Sequence, residues 1–257
     1  MKKLTNAFLL LVAVSMLTVS SAHSYTVTFG DTRNYWSGWA NGEDDNSPTV
    51  GIPDLTGGSV EVSSGGYLKK ITVNQNSANS PYYSVLTAGD LFIDNNANKI
   101  WDFFIDLTDW TSAGTTNSNP VQGNYRILSF AFPLGEKNSN AGYILSGTDN
   151  TNGWIGYNIR DMHPVAVDRS IVTGIDTGKE VQFTGWNDLY NESWVFNFPD
   201  GAILLGDEFT IGWTVNCAND VLYETMKNPV PEPATMLLFG TGLVGLAGFG
   251  RKKLLKK

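Results

Sequence analysis

DLFIDNNANKIWDFFID, residues 90–106, is the stretch on which the fold class turns. Two short runs of aliphatic and aromatic residues flank a centre of asparagines, a composition that favours strands on either side of a turn. Asp94, Asn96, Asn98, the main-chain carbonyl of Ile100 and Asp102 fall at alternate positions. This is the spacing by which a calcium loop wraps one ion with side-chain and main-chain oxygens. Against an ion, only two of those groups are carboxylates, Lys99 stands where a glycine makes the sharp turn, and no bidentate glutamate is found after it. The competing and favoured reading is an Asn-rich turn between strands DLFI and WDFFI, with Trp101, Phe103 and Ile105 on one face.

Outward from this stretch the apolar period stays close to two. SVEV, YLKKITV, YRILSFAF, GYILS, GWIGYNIR, VQFT, SWVFNF and EFTIGWTV are short runs rich in β-branched or aromatic residues. Turn-forming clusters separate them: GG at 57, SSGG at 63, SAGTTNSNP at 112, GEKNSN at 135, GTDNTNG at 147 and TGIDTG at 173. With no amphipathic helical run of a dozen residues, the expectation is an all-β, antiparallel β-sandwich or jelly-roll-like single domain over 25–228.

The two ends have a different character. Lys2 and Lys3 precede AFLLLVAVSML and then small residues at Ser20, Ser21, Ala22 and Ser24, the order of a secretory signal peptide over 1–24. At the far end, 234–250 carries no charge and would rise about 25 Å as a helix, at the short limit for a transmembrane span. Arg251, Lys252 and Lys253 open a basic tail over 251–257, and the positive-inside rule leaves such a tail in the cytoplasm. Just before the apolar run, prolines 229, 231 and 233 restrict their own φ and their predecessors, so PVPEP reads as an extended segment.

Val230, Pro231, Glu232 and Pro233, the apolar run and the basic tail together resemble the PEP-CTERM sorting signal of Gram-negative bacteria, over 229–257. The resemblance implies a transient inner-membrane anchor, recognition by an exosortase, removal of the tail and delivery to the cell surface or extracellular matrix. It also implies signal peptidase and the secretion machinery as earlier partners, and a producer that makes exopolysaccharide and biofilm. GWTVNCANDV looks like a segment that often closes the exported body in this family. The 90–106 stretch in turn is similar to the D-x-D-x-D-G-x-W-D loop of many exported bacterial proteins, a resemblance that makes Ca2+ a possible cofactor.

Charge narrows the partners. Setting aside Lys2, Lys3, Glu232 and the five basic residues after 250, the 17 basic and 25 acidic residues of the chain become 10 and 24, a balance of −14. So acidic a body is not a nucleic-acid binder, because a phosphate backbone needs cations to release its counterions. Cys217 is the single cysteine, so no intrachain disulfide forms, and its apolar flank favours burial. Trp36, Trp39, Trp110, Trp154 and Trp186 sit beside Gly, Asn, Asp or Ser, as sugar-stacking tryptophans do. The alternative for these five is a buried corner, while Trp101, Trp194 and Trp213 lie within strand patterns and belong to the core.

Catalytic chemistry has little to draw on: the body keeps one histidine, His163, and has no nucleophile motif, zinc-spaced set or phosphate loop. Asp102, Asp106 and Asp109 are the densest carboxylates, and Asp102 and Asp106 would be about 13 Å apart along one strand, too far for a retaining glycosidase. The expectation is therefore a structural or adhesive protein of the polysaccharide matrix and not an enzyme. A carbohydrate-binding module with a defined glycan site is the first alternative, and a glycoside hydrolase or lyase the second.

Overall fold

The computed structural model describes residues 24–31, 55–75, 88–108, 123–135, 144–146, 164–185, 193–214 and 221–229. Twelve strands occupy these residues: β1 Tyr25–Phe29, β2 Leu55–Val62, β3 Leu68–Gln75, β4 Leu91–Asp94, β5 Ile100–Ile105, β6 Gly123–Gly135, β7 Ile144–Ser146, β8 Pro164–Val167, β9 Gly174–Thr184, β10 Ser193–Asn197, β11 Glu208–Thr214 and β12 Val221–Lys227. Ten of them form one sheet in the order β1-β2-β3-β10-β9-β6-β5-β4-β11-β12, and β7 pairs with β8 separately. Every strand pairing is antiparallel.

The sheet curls, which brings β12 alongside β1 and β2 and makes the whole nearly barrel-like. The contact that shows the curl best is between Trp194 of β10 and Trp213 of β11, strands five places apart in the sheet order. Their ring centroids are 4.7 Å apart in an edge-on arrangement, so they meet through the interior and not along the ladder. Leu55, Val60, Ile71, Ile93, Phe196 and Ile211 pack around them in the main core. The all-β, antiparallel expectation is thus met, but one continuous ladder that bends back on itself takes the place of two separate facing sheets, and the order does not identify a jelly roll.

A second apolar cluster lies on the other side of the sheet, built by Phe92, Trp101, Phe104, Leu128, Leu134, Val167, Val172, Val221 and Tyr223. Strands between the two clusters lose the alternation of a half-exposed strand, so all four residues of β4 and six of the seven in β11 are buried. Parity changes within β5. A register shift between Trp101 and Phe103 sends Trp101 to the second cluster with Phe104, while Phe103 and Ile105 face the main core. Trp101, Phe103 and Ile105 therefore do not share one face, because a bulge adds a residue to the period of two.

Two of the expected turns lie inside strands. Gly57 and Gly58 belong to β2, beside a register shift, where β1 and β3 come very close on either side. A Cβ at Gly58 would overlap the Thr72 carbonyl and stand 2.8 Å from the Phe29 ring. Gly58→Ala is expected to cost about 3 kcal/mol in chemical denaturation and to loosen the β2–β3 pairing first; a loss below about 1 kcal/mol would mean that the Thr72 carbonyl does not lie there. The TGIDTG segment runs into β9, where Asp176 accepts the Gly178 amide at 2.8 Å next to a second register shift. Trp101, Trp194 and Trp213 are fully buried, in keeping with their strand patterns.

Among the described residues no helix is long and apolar enough to cross a membrane. Residues 1–23 of the expected signal peptide 1–24, and the expected span 234–250, lie outside them.

Candidate functional site

The Asn-rich loop joins β4 to β5 and closes on its own amides. Asp94, fully buried, accepts from the backbone N–H of Asn96 at 3.1 Å, Asn98 at 3.3 Å and Lys99 at 2.8 Å. The Asn96 side-chain oxygen accepts from Asn98 N–H at 3.2 Å, and that of Asn98 from Ile100 N–H at 2.9 Å. Asp102 accepts the Asn95 N–H at 2.9 Å; burial pushes its carboxyl above the usual range, the Asn95 bond opposes this, and the Asp94 charge adds to it. Lys99 takes the left-handed φ of 70° that a glycine would take more cheaply, and Ala97 takes 53°.

These bonds close the loop as a turn. The four side-chain groups that would ligate calcium all accept hydrogen bonds from amides of the loop, and the two carboxylates supply less charge than such sites use. Among the described residues no group of three or more Asp, Glu, His or Cys side chains is placed to hold a metal.

A second constellation ties the β7–β8 pair to the sheet. Asp90, just before β4, accepts Leu107 N–H and Thr108 N–H at 3.0 Å, Thr108 Oγ1–H at 3.1 Å and Val167 N–H at 2.9 Å. Burial, and then the charge of Asp106, push its carboxyl well above the ordinary carboxylate range, while the amides of Val167 and Thr108 pull it down. Asp106 pairs with Arg126 at 2.7 Å and Arg169 at 3.5 Å, and Arg169 lies over the Phe104 ring. Asp102 and Asp106, the carboxylates a glycosidase reading would use, are thus engaged in a turn and in an ion pair.

The third feature is the point where the body ends. Asn228, directly after β12, donates its N–H to Asp207 O at 2.8 Å and its side-chain amide to Gly206 O at 2.8 Å. Its side-chain oxygen accepts the hydroxyl of Tyr25, the first residue of β1. The two expected ends of the exported body, 25 and 228, are therefore bonded to each other. Nothing in the local sequence announces this pair, because its members are 203 residues apart.

Trp36, Trp39, Trp110, Trp154 and Trp186 lie outside the described residues, as do Cys217 and His163. Val230, Pro231, Glu232, Pro233, Arg251, Lys252 and Lys253 lie outside them too, but Pro229 is placed, leaving the Asn228 clamp. Comparison with protein families identifies the segment beyond the clamp. Residues 229–252 match the PEP-CTERM protein-sorting motif. The chain thus carries the signal of an exosortase substrate, and the PEP-CTERM segment starts at the residue after Asn228. No curated protein and no solved structure matches the chain.

Proposed function

We propose that this is an exported surface or extracellular-matrix protein with a structural or adhesive role, associated with exopolysaccharide and released from its anchor by exosortase. The observation that carries the proposal is the PEP-CTERM motif at 229–252, which begins where the β body ends. In this reading the signal peptide leaves at Ala22 or Ser24, and the apolar run 234–250 holds the body outside the inner membrane with its basic tail in the cytoplasm. Cleavage near Pro231 then frees the body. The acidic surface keeps it soluble and suits a neutral or cation-bridged polysaccharide. No bound metal is part of the proposal.

Intact-mass analysis of protein recovered from envelope and medium, in producing cells with and without exosortase, tests it. The expected result is a chain truncated near Pro231 only when the enzyme is present. A chain ending at Lys257 in both strains would reduce the tail to a plain anchor and remove the support for a matrix role.

A further inference from the structure

Several segments converge on the end of the body from which the sorting signal leaves. Tyr25 pairs with Val62, so the mature N-terminus and the β2–β3 turn at 63–66 share this pole. Across that turn Tyr67 bridges to Leu204, and the 204–206 segment meets Asn95 through Asn95 Nδ2 to Leu204 O and Gly206 N to Asn95 O. The same segment holds Asn228 through Leu205 O and Gly206 O. Tyr67 and Leu204, at 36% and 52% exposure, are two of the four large apolar side chains left open among the described residues. Of the charges nearby, the exposed Lys99, Lys227, Asp207 and Glu208 balance, while Asp94 and the half-buried Asp102 lie beneath them in the loop.

From this structure we infer that the pole formed by Tyr67, Leu204, Asn95 and Lys227 rests on the lipid surface of the membrane for as long as the sorting signal is attached. The inference depends on the anchor reading above and adds to it a contact face. Its main support is the length of the tether. Asn228 is clamped, so only Pro229 to Pro233 separate the body from an apolar run that starts at residue 234. Five residues reach at most about 18 Å, and the headgroup layer takes up roughly 5–7 Å of that. A body of this size has a radius of gyration of about 17 Å, so it cannot turn another face to the bilayer on such a tether. The face it must present carries a tyrosine and a leucine, the side chains suited to a headgroup boundary, and as many cations as anions among its exposed residues.

The test uses the full chain in vesicles of phosphatidylethanolamine and phosphatidylglycerol, compared with the same chain in detergent, by amide hydrogen exchange. Amides at 63–67, 95–99 and 203–207 are expected to exchange about tenfold more slowly in vesicles. That slowing should vanish when about thirty Gly/Ser residues are inserted after Pro229, and weaken in Tyr67→Glu/Leu204→Glu, whose exposed positions leave the core untouched. Equal exchange in vesicles and detergent, from a chain that floats with the vesicles, would overturn the lipid contact and leave the anchor reading intact. Slowing only on addition of exosortase would replace lipid by the enzyme as the partner and overturn the proposal as well. A chain that does not float with the vesicles would sink the anchor reading and this inference with it.

Discussion

Asp90→Ala is expected to lower the unfolding free energy by about 3 kcal/mol, because it strands the buried backbone N–H groups of Thr108 and Val167 and leaves Leu107 N–H only its bond to Ile105 O. Leu107, Thr108 and Val167 all donate to this carboxylate, and Val167 belongs to β8, which has no place in the main ladder. Asp90 is thus the polar counterpart of the second apolar cluster: it fixes β8 where Val167 covers Phe92 and Phe104. Asp90→Asn separates the two halves of the effect. The amide oxygen can still serve Leu107 and Thr108, but an NH2 then faces the Val167 N–H, so about 2 kcal/mol is lost and β8 loosens first in hydrogen exchange.

The pH dependence gives a second readout. The folded carboxyl is raised above its unfolded value, mainly by burial and next by Asp106, so the protonated form is favoured by folding. Its contribution is fully present below about pH 4 and is lost as pH rises through the folded pKa. The wild-type protein should therefore lose stability along that limb, while Asp90→Asn, which cannot ionise there, should lose less and keep only the slope that Asp102 contributes. Denaturation between pH 4 and 8 checks this; parallel curves for the two proteins would remove Asp90 as the source of the slope.

How much of the fold and the site is legible in the sequence depends on the range of each interaction. The hairpin of β4 and β5 is legible because alternation, β-branched residues and an Asn-rich turn all lie within 90–106. VLYETMK does not stand out as a strand, since its first three residues are all buried and blur the period of two. Gly57 and Gly58 have the composition of a turn, and the φ of 104° at Gly57 together with the close approach of β1 and β3 makes glycine necessary inside β2. Lys99 is a poor turn residue by its own preference, yet the Asp94 carboxylate draws three loop amides inward and holds it at positive φ. The sorting signal can be read because its three features stand side by side. The clamp before it cannot, since Tyr25 and Asn228 meet only after the sheet has curled.

That curl makes the second large prediction. Trp213→Ala should cost about 4–5 kcal/mol, the upper range for an aromatic truncation in a packed core. Trp213 is fully buried, meets Trp194 and Phe196 at centroid distances of 4.7 and 6.1 Å, and donates its indole N–H to Gly89 O at 3.1 Å. Trp213→Phe keeps an aromatic ring but removes the hydrogen bond, leaving a buried carbonyl short of its donor, and should cost about 2 kcal/mol. The deciding measurement is a double-mutant cycle with Trp194→Ala. Trp194 is in β10 and Trp213 in β11, with β9, β6, β5 and β4 between them in the ladder. A flat sheet would hold them about 24 Å apart at ordinary strand spacing, and their losses would add. A sheet wound back on itself sets the rings in contact, and the double variant should lose about 1 kcal/mol less than the sum. Additivity within about 0.3 kcal/mol would mean that the interior does not close through these two tryptophans, and with it the meeting of β1 and β12 that joins Tyr25 to Asn228 would lose its cause.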